Sequence, residues 1–318
     1  MKAIVQDEYG PLDVLRFRDI ERPVPGPGEV LVRVLAAGVD PSIWHLTSGE
    51  PRLIRLMGFG LRRPKRPVPG LDLAGTIEEV GPGVTDLRPG DEVFGTGNGS
   101  FAEYAVTKAS RVVPKPANLT FDQAAAVPVS ACTAMKGLQS VHSGQRLLII
   151  GAGGGVGGYA VQLAKARNAH VTGVCSTAKT ELVKSLGADE IVDYTRESIT
   201  GRYDLILDIA GDRPLSQLRQ HLTPKGTLII VGGEGGGKVV GSVARTLRAA
   251  LLSPFVSQRL TGLMANAERT EDLLELKRLI ENGTLTSPLD RTFPLSDAVA
   301  AVAYVQAGRA RGKVVVTP

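Results

Sequence analysis

The sequence predicts an α/β protein with a Rossmann-type, doubly wound parallel sheet in its middle and a β-rich region before it. Three observations predict this class. Residues 145–165, QRLLIIGAGGGVGGYAVQLAK, read as a buried strand, a glycine turn and a helix. Beyond residue 120, short apolar runs alternate with helical periodicity, which argues for parallel strands covered on both faces. Before residue 114, turns rich in proline and glycine separate short alternating runs, the pattern of β structure.

The chain has 318 residues, 43% of them hydrophobic, enough for two domains with their own cores. Glycine and proline are plentiful without any long polar low-complexity stretch, so turns rather than disorder are expected. There is no uninterrupted apolar run of the roughly 18 residues that a membrane helix needs. The first residues are too short an apolar run for a secretory signal, so a cytoplasmic location and no membrane partner are expected. Cys132 and Cys175 stand far apart without a C-x-x-C pattern and read as buried thiols. The net charge of +5 does not by itself imply nucleic acid, and no such partner is expected. Charge is concentrated in residues 51–70, where Arg52, Arg55, Arg62, Arg63, Lys65 and Arg66 occur with no acid. That stretch is either a solvated loop or a basic rim that attracts an anionic ligand. It has only Phe59 to stack on a base.

Taken in order, residues 1–39 read as β structure, with 30–35 the clearest strand. Residues 50–69 form a long loop containing a short helix, and loops of this length are usually functional. Strands follow at 71–80, near 92–94, at 101–106 and at 111–113. Pro114-Lys115-Pro116 marks a boundary, after which 121–127 and 131–141 have helical spacing. Parallel strands are expected near 146–150, 170–175, 190–193, 204–209 and 226–231. A second glycine cluster at 232–237 ends this block. In the tail, 258–264 reads as a strand and 270–280 as an amphipathic helix stopped by Gly283. Residues 295–305 read as a helix with Ser296 as a cap, and 313–316 as a last strand.

The glycine turn is a dinucleotide fingerprint. Glycines allow a sharp turn and close approach to a pyrophosphate, and the helix N-terminus offers free N–H groups. Both Gly153-Gly155-Gly158 and Ala152-Gly155-Gly158 fit the spacing. An NAD-selective site places an acid at the end of the next strand, to bind the ribose hydroxyls. Here the strand ends Ser176-Thr177-Ala178-Lys179, and no acid occurs before Glu181. A hydroxyl and an ammonium suit a 2′-phosphate, so NADP(H) is the expected cofactor. The alternative for Ser176 is a helix N-cap.

The order of these parts resembles the medium-chain dehydrogenase/reductase superfamily, and within it the zinc-free quinone oxidoreductase (zeta-crystallin-like) branch. The likeness is carried by AAGVDPSIW at 36–44, PGLDLAGTIEEVGPGV at 69–84, PGDEVFG at 89–95 and AAAVPVSACTA at 124–134. GAGGGVGGYAVQLAKA at 151–166, LGADEIVDY at 186–194 and GRARGKVVV at 308–316 extend it over nearly the whole chain. The resemblance implies a GroES-like catalytic domain over 1–122, completed by the tail 265–318. It also implies a Rossmann NADP-binding domain over 123–264, with the active cleft between the two.

The resemblance also implies residue roles. Ala152, Gly155, Val156 and Gly157 are expected at the pyrophosphate, and Ser176, Lys179 and Tyr194 at the 2′-phosphate. Val231, Gly232 and Gly233 are expected beside the nicotinamide, with Gly312 and Lys313 touching the cofactor from the tail. Asp40 and Thr133 fall at catalytic positions, although many relatives carry Asn where this chain has Asp40. Trp44, Met57, Phe59 and Phe255 are expected to form an apolar substrate wall, each alternatively being plain core. Ser42 and His45 lie where alcohol-handling relatives carry a proton relay, and the preferred reading of His45 is a solvent-exposed residue without a role. Metal-dependent relatives have Cys at the position of Asp40, His-Glu at Leu71-Asp72 and a third ligand near Val129. Leucine cannot ligate, so no metal is expected.

The implied activity is an NADPH-dependent, metal-free reduction of a quinone or an α,β-unsaturated carbonyl. A zinc-independent alcohol dehydrogenase, an enoyl-thioester reductase and a non-catalytic NADPH-binding structural protein are the alternatives. The expected assembly is a homodimer or homotetramer.

Overall fold

A computed structural model describes residues 1–211, 213–232, 242–263 and 269–318, without the side chains of Met57 and Ser242. Contacts divide the chain into two compact units, Met1–Cys132 with Ala267–Pro318, and Thr133–Asn266.

The elements of the first stretch are β1 (Lys2–Val5), β2 (Arg16–Asp19), β3 (Glu29–Val39), α1 (Ser42–Ser48), β4 (Asp72–Val80), β5 (Glu92–Thr96), β6 (Tyr104–Lys108) and β7 (Val112–Pro114). Next come α2 (Phe121–Ala125) and α3 (Pro128–Gly137), and the division between units falls inside α3. Thr120 starts α2 through a capping box with Gln123, which satisfies two orphan donors reciprocally. The expected boundary after residue 122 is displaced because α2 packs on β3 and β4. Ala124 and Ala125 are fully buried in that contact.

The second unit contains β8 (Arg146–Ile150), α4 (Gly155–Ala166), β9 (His170–Cys175), α5 (Thr180–Ser185), β10 (Glu190–Asp193) and β11 (Tyr203–Asp208). It continues with α6 (Leu215–Gln220), β12 (Leu222–Ile230), α7 (Ser242–Leu252) and β13 (Arg259–Gly262). Its six strands are all parallel, in the order β10-β9-β8-β11-β12-β13. Strand order reverses between β8 and β11, which is the Rossmann arrangement with its ligand crevice at that switch point. Leu148, Ile150, Ile206, Leu228 and Ile230 form the sheet's share of one core.

The tail supplies α8 (Thr270–Glu281), β14 (Leu289–Pro294), α9 (Ala298–Gln306) and β15 (Lys313–Thr317). α8 stops where Gly283 takes φ 76°, as expected for a glycine C-terminus. Asp297, not Ser296, stands at the N-cap of α9, and it makes no side-chain cap bond.

In the first unit β3 is the central strand. The sheet order is β14-β15-β3-β4-β5-β7, with β6 also paired to β3. β15 runs antiparallel to β3 with Val314 opposite Val39, so the tail becomes an integral strand of the N-terminal unit. Val30, Val32, Val34 and Trp44 share a core with Ala298, Ala301 and Val302 of α9. Two helical pieces interrupt the strands of this unit, the second being the short helix expected within residues 50–69. The turn at Asp40-Pro41 leads into α1, and Arg55–Phe59 forms a single π-helical turn within the long loop. Among the described residues, no helix is long and apolar enough to cross a membrane.

Candidate functional site

The second unit carries a phosphate cradle at the carboxyl end of β8. Gly151 turns the chain with φ 88°, a conformation that side-chain-bearing residues rarely adopt. A β-carbon on Gly157 would lie 2.1 Å from the Gly151 carbonyl oxygen, so only glycine lets α4 begin this close to the strand. Gly154 caps α4 with extended backbone and no side chain. The first-turn N–H groups of residues 155–157 have no intrahelical acceptor and face the mouth of the turn. Gly155 and Val156 are half-buried there, as a cofactor contact requires. Ala152 is different. It is fully buried and its N–H donates to the Val174 carbonyl at 3.1 Å. It supports the turn from below, against Gly173.

Beside the cradle lie the carboxyl ends of β9 and β10. Ser176 stands at the cap position of a short 3₁₀ turn but makes no side-chain capping bond, so the capping alternative does not use its hydroxyl. The alkyl chain of Lys179 lies on the glycine turn, where a β-carbon on Gly153 would come within 2.7 Å of it. Asp193 pairs with Cys175, and the Tyr194 N–H donates to the Cys175 carbonyl at 3.1 Å. The register therefore sets the half-exposed Tyr194 ring next to Ser176. The sequence reading missed two residues of this corner. Thr177 donates its hydroxyl to the Asp193 carboxylate, and together with Thr195 it holds that acid below the usual carboxylate range. Arg196, two residues after Tyr194, presents a largely exposed guanidinium 3.7 Å from Asp193.

The ends of β11 and β12 complete this edge. The Val231 N–H donates to the Asp208 carbonyl at 2.9 Å, and a β-carbon on Gly232 would lie 3.0 Å from the Ile209 oxygen. Gly233 lies outside the described residues. Arg245 of α7 is paired to Asp208 and donates to the Gly211 carbonyl at 2.6 Å, tying α7 to β11.

The first unit brings some expected residues together and disperses others. Asp40 is 5% exposed and accepts the Ser42 N–H through Oδ1 at 2.8 Å, while its buried Oδ2 has no hydrogen-bond partner. Thr133 is half-buried on α3. The Ser42 hydroxyl also lacks a partner, and His45 Nδ1 lies 3.1 Å from the Glu50 carbonyl oxygen, so Ser42 is not joined to His45 as a relay. Lys313 is paired inside the first unit. Its side chain is 2% exposed, and its Nζ lies 3.2 Å from Asp72 Oδ2. Gly312 takes φ 120°, and a β-carbon there would lie 2.1 Å from the Pro288 oxygen, so its glycine answers to the backbone.

The residues expected to form a substrate wall have different surroundings. Trp44 is a core residue, and Phe255 projects into solvent at 84% exposure. Phe59 is half-exposed on the π turn, and the Met57 side chain lies outside the described atoms.

Asp72 is the most perturbed acid of this unit. It is fully buried, with Val129 N–H donating to Oδ1 at 2.8 Å. Burial pushes its carboxyl up to about 7, Lys313 opposes the rise, and the charge of Asp40 adds to it. This donor set does not fit zinc. Leu71 offers no ligand, Val129 offers a backbone donor, and an ammonium already lies against Asp72. Among the described residues, no three His, Cys, Asp or Glu side chains are grouped to hold a metal.

A glycine turn opening a 12-residue helix at the switch point of a parallel sheet defines a dinucleotide-binding protein of the Rossmann class. Comparison with known proteins narrows this. Residues 26–117 match the alcohol dehydrogenase GroES-like domain, and residues 186–316 match the zinc-binding dehydrogenase family. The chain is 33% identical to the chloroplastic quinone-oxidoreductase QR1 of Triphysaria versicolor, over 100% of this chain and 98% of that protein. It is also 33% identical to the chloroplastic NADPH-dependent alkenal/one oxidoreductase of Arabidopsis thaliana, over 100% of this chain and 80% of the relative. The solved quinone oxidoreductase of Coxiella burnetii superposes with a TM-score of 0.87 at 28% identity, covering 100% and 99% of the two chains. The chain belongs to the medium-chain dehydrogenase/reductase superfamily, among its quinone-oxidoreductase-like members, and is an oxidoreductase.

The raised Asp72 carboxyl sets a pH dependence of stability. An unfolded aspartate titrates near 3.9, so between roughly pH 4 and 7 the native chain holds a proton that the unfolded chain has released. Stability from this group is therefore fully present below that window and falls as pH rises through about 7. The thermal midpoint of the wild type relative to Asp72→Asn is expected to fall from pH 5 to 8 and then level off. A constant difference over this range contradicts the assignment.

Proposed function

We propose that this enzyme uses NADPH to reduce a quinone or an α,β-unsaturated carbonyl without a metal. The observation that carries the cofactor choice is the corner of Ser176, Lys179 and Tyr194 beside the glycine turn, with no acid at the end of β9. When bound, NADPH supplies a hydride to the conjugated acceptor. Gly155, Val156 and Gly157 hold the pyrophosphate through the N-terminus of α4. Ser176 and Lys179 bind the 2′-phosphate, with Arg196 adding positive charge at the rim. Tyr194 covers the adenine end. Val231 and Gly232 border the nicotinamide, and Asp40 and Thr133 face the acceptor.

The donor set around Asp72 supports the choice of acceptor. Oxidising an alcohol without a Lewis acid leaves the alkoxide unstabilised. A conjugated acceptor that gains hydride becomes an enolate or hydroquinone anion, which needs only hydrogen bonds and a proton. The names of the relatives, a quinone-oxidoreductase and an alkenal/one oxidoreductase, point to the same substrates.

We also infer self-association through α7. Leu247 and Leu251 lie one turn apart on α7 and are 53% and 72% exposed, and Phe255, in the 3₁₀ turn that follows the helix, is 84% exposed, apolar surface that water disfavours. Light scattering is expected to give a dimer or tetramer mass that drops when Leu251→Glu is introduced. A monomeric wild type contradicts this.

Two measurements test the reaction. With dialysed, chelator-treated enzyme, NADPH absorbance is expected to fall with a quinone or an enone, and little with an enoyl thioester; a simple alcohol with NADP⁺ should give little NADPH. Preference for the thioester or the alcohol overturns the acceptor assignment. Lys179→Ala is expected to weaken NADPH binding about 10- to 100-fold, the loss of a charge-assisted contact, while leaving NADH binding nearly unchanged. An equal loss for both cofactors contradicts the 2′-phosphate role.

A further inference from the structure

The first unit contains a buried charge cluster that the cofactor site leaves unused. β15 pairs with one side of β3, Val314 opposite Val39, and β4 pairs with the other, Ala36 opposite Ala74. These registers bring Asp40, which follows β3, to the same end of the sheet as Asp72, which opens β4, and Lys313, which opens β15. All three are at most 5% exposed. Lys313 Nζ lies 3.2 Å from Asp72 Oδ2, and Val129 N–H donates to Asp72 Oδ1 at 2.8 Å. A β-carbon on Gly38 would lie 2.7 Å from Asp72 Oδ2, so the strand is kept bare to admit the carboxylate. Asp40 keeps one buried carboxylate oxygen without a partner.

Stability is a weak reason for this arrangement. Two buried carboxyl groups and an ammonium lose hydration together, and a well-packed apolar replacement of a buried ion pair is often no less stable. An orphaned carboxylate oxygen beside them costs more still unless something meets it during function. Asp40 is the member with an atom to offer, while Asp72 and Lys313 are committed to each other. The pair lies beside Asp40 at this end of the sheet, and the Asp40 charge in turn raises the Asp72 carboxyl. Lys313 matters to this corner, because without that ammonium Asp40 and Asp72 would be two buried acids at neighbouring strand ends with no cation between them.

We propose that Lys313, clamped by Asp72, is the fixed cation of the acceptor site and a positioning pair for Asp40. It offsets the Asp40 charge so that this carboxyl group can stand beside an acceptor oxygen that gains negative charge on reduction. In this chain a covalently attached ammonium fills the electrostatic place that a dehydrogenase with a metal gives to its dication. The proposal rests on the metal-free reduction described above.

The test uses the full-length enzyme with 3-buten-2-one and 1,4-benzoquinone as acceptors. Lys313→Met alone strands a buried carboxylate and can unfold, so the informative variant is Asp72→Asn/Lys313→Met, in which both charges go and the Val129 N–H keeps an acceptor. This double variant is expected to keep the wild-type thermal midpoint and NADPH Kd, both within twofold for Kd, while kcat falls at least tenfold. Lys313→Arg is expected to recover most of the turnover. In an Asp40→Asn background, neutralising the pair is expected to cost no further turnover, since the pair acts through Asp40.

Wild-type kcat in the folded double variant overturns the proposal, because the pair is then only structural. So does a loss confined to NADPH affinity, which makes Lys313 a cofactor contact, or an undiminished effect when Asp40 is already Asn. A wild type inactive with both acceptors overturns the reduction itself and this proposal with it, whereas an active wild type with an unaffected double variant overturns the proposal alone.

Discussion

The Gly151 carbonyl stands 2.1 Å from where a β-carbon on Gly157 would go, and the chemistry of the second unit depends on that exclusion. A side chain there would push α4 off the end of β8. The helix N-terminus would no longer lie at the turn, and its unbonded N–H groups would lose their common focus. The remaining features of the cradle follow from this contact. Gly173 lets Ala152 sink beneath the turn, and Gly153 lets the Lys179 stem lie across it. The parallel order β10-β9-β8-β11-β12-β13 places the turn at the one point where strand order reverses. The glycine turn and the corner of Ser176, Lys179 and Tyr194 thus become neighbours through backbone geometry, the pairing on which the proposed NADPH site rests.

The first unit is organised by a different constraint, the insertion of the last strand beside β3. β15 closes the sheet, and in doing so carries Lys313 into the interior against Asp72. One strand pairing joins the ends of the chain and delivers a charge to the corner where Asp40 sits. The glycine at 312 serves this entry, because its backbone passes within contact of Pro288. Fold and chemistry are coupled here as they are in the cradle, through a position that tolerates no side chain.

The nucleotide half was legible in the sequence because its signals are local. A strand, a glycine turn and a helix occur within 21 consecutive residues at 145–165, and the alternation that follows repeats the same periodicities. The tail's return was legible only through family resemblance, since nothing local in GKVVV announces its partner. The roles of individual residues in the first unit were the least legible. Lys313 pairs with a residue 241 positions away, and a lysine near a glycine reads as a surface group until that partner is known. For Trp44 the sequence leaves a substrate wall and plain core both open, and α1 places it in the core. Phe255 shows the reverse, an aromatic residue left outside by the turn that follows α7. Arg196 carries no local signal, because only the sheet register sets the end of β10 beside the end of β9.

What joins these parts is a hydride delivered from a nicotinamide to a carbon made electrophilic by conjugation. The most direct measurement is transfer of isotope. With NADPH deuterated at the reactive face of nicotinamide C4 and an enone as acceptor, this account predicts one deuterium at the β-carbon of the saturated ketone, retained in water and in the presence of a chelator. A saturated product without the label at that carbon, or deuterium found instead at the carbinol carbon of an allylic alcohol, would contradict it.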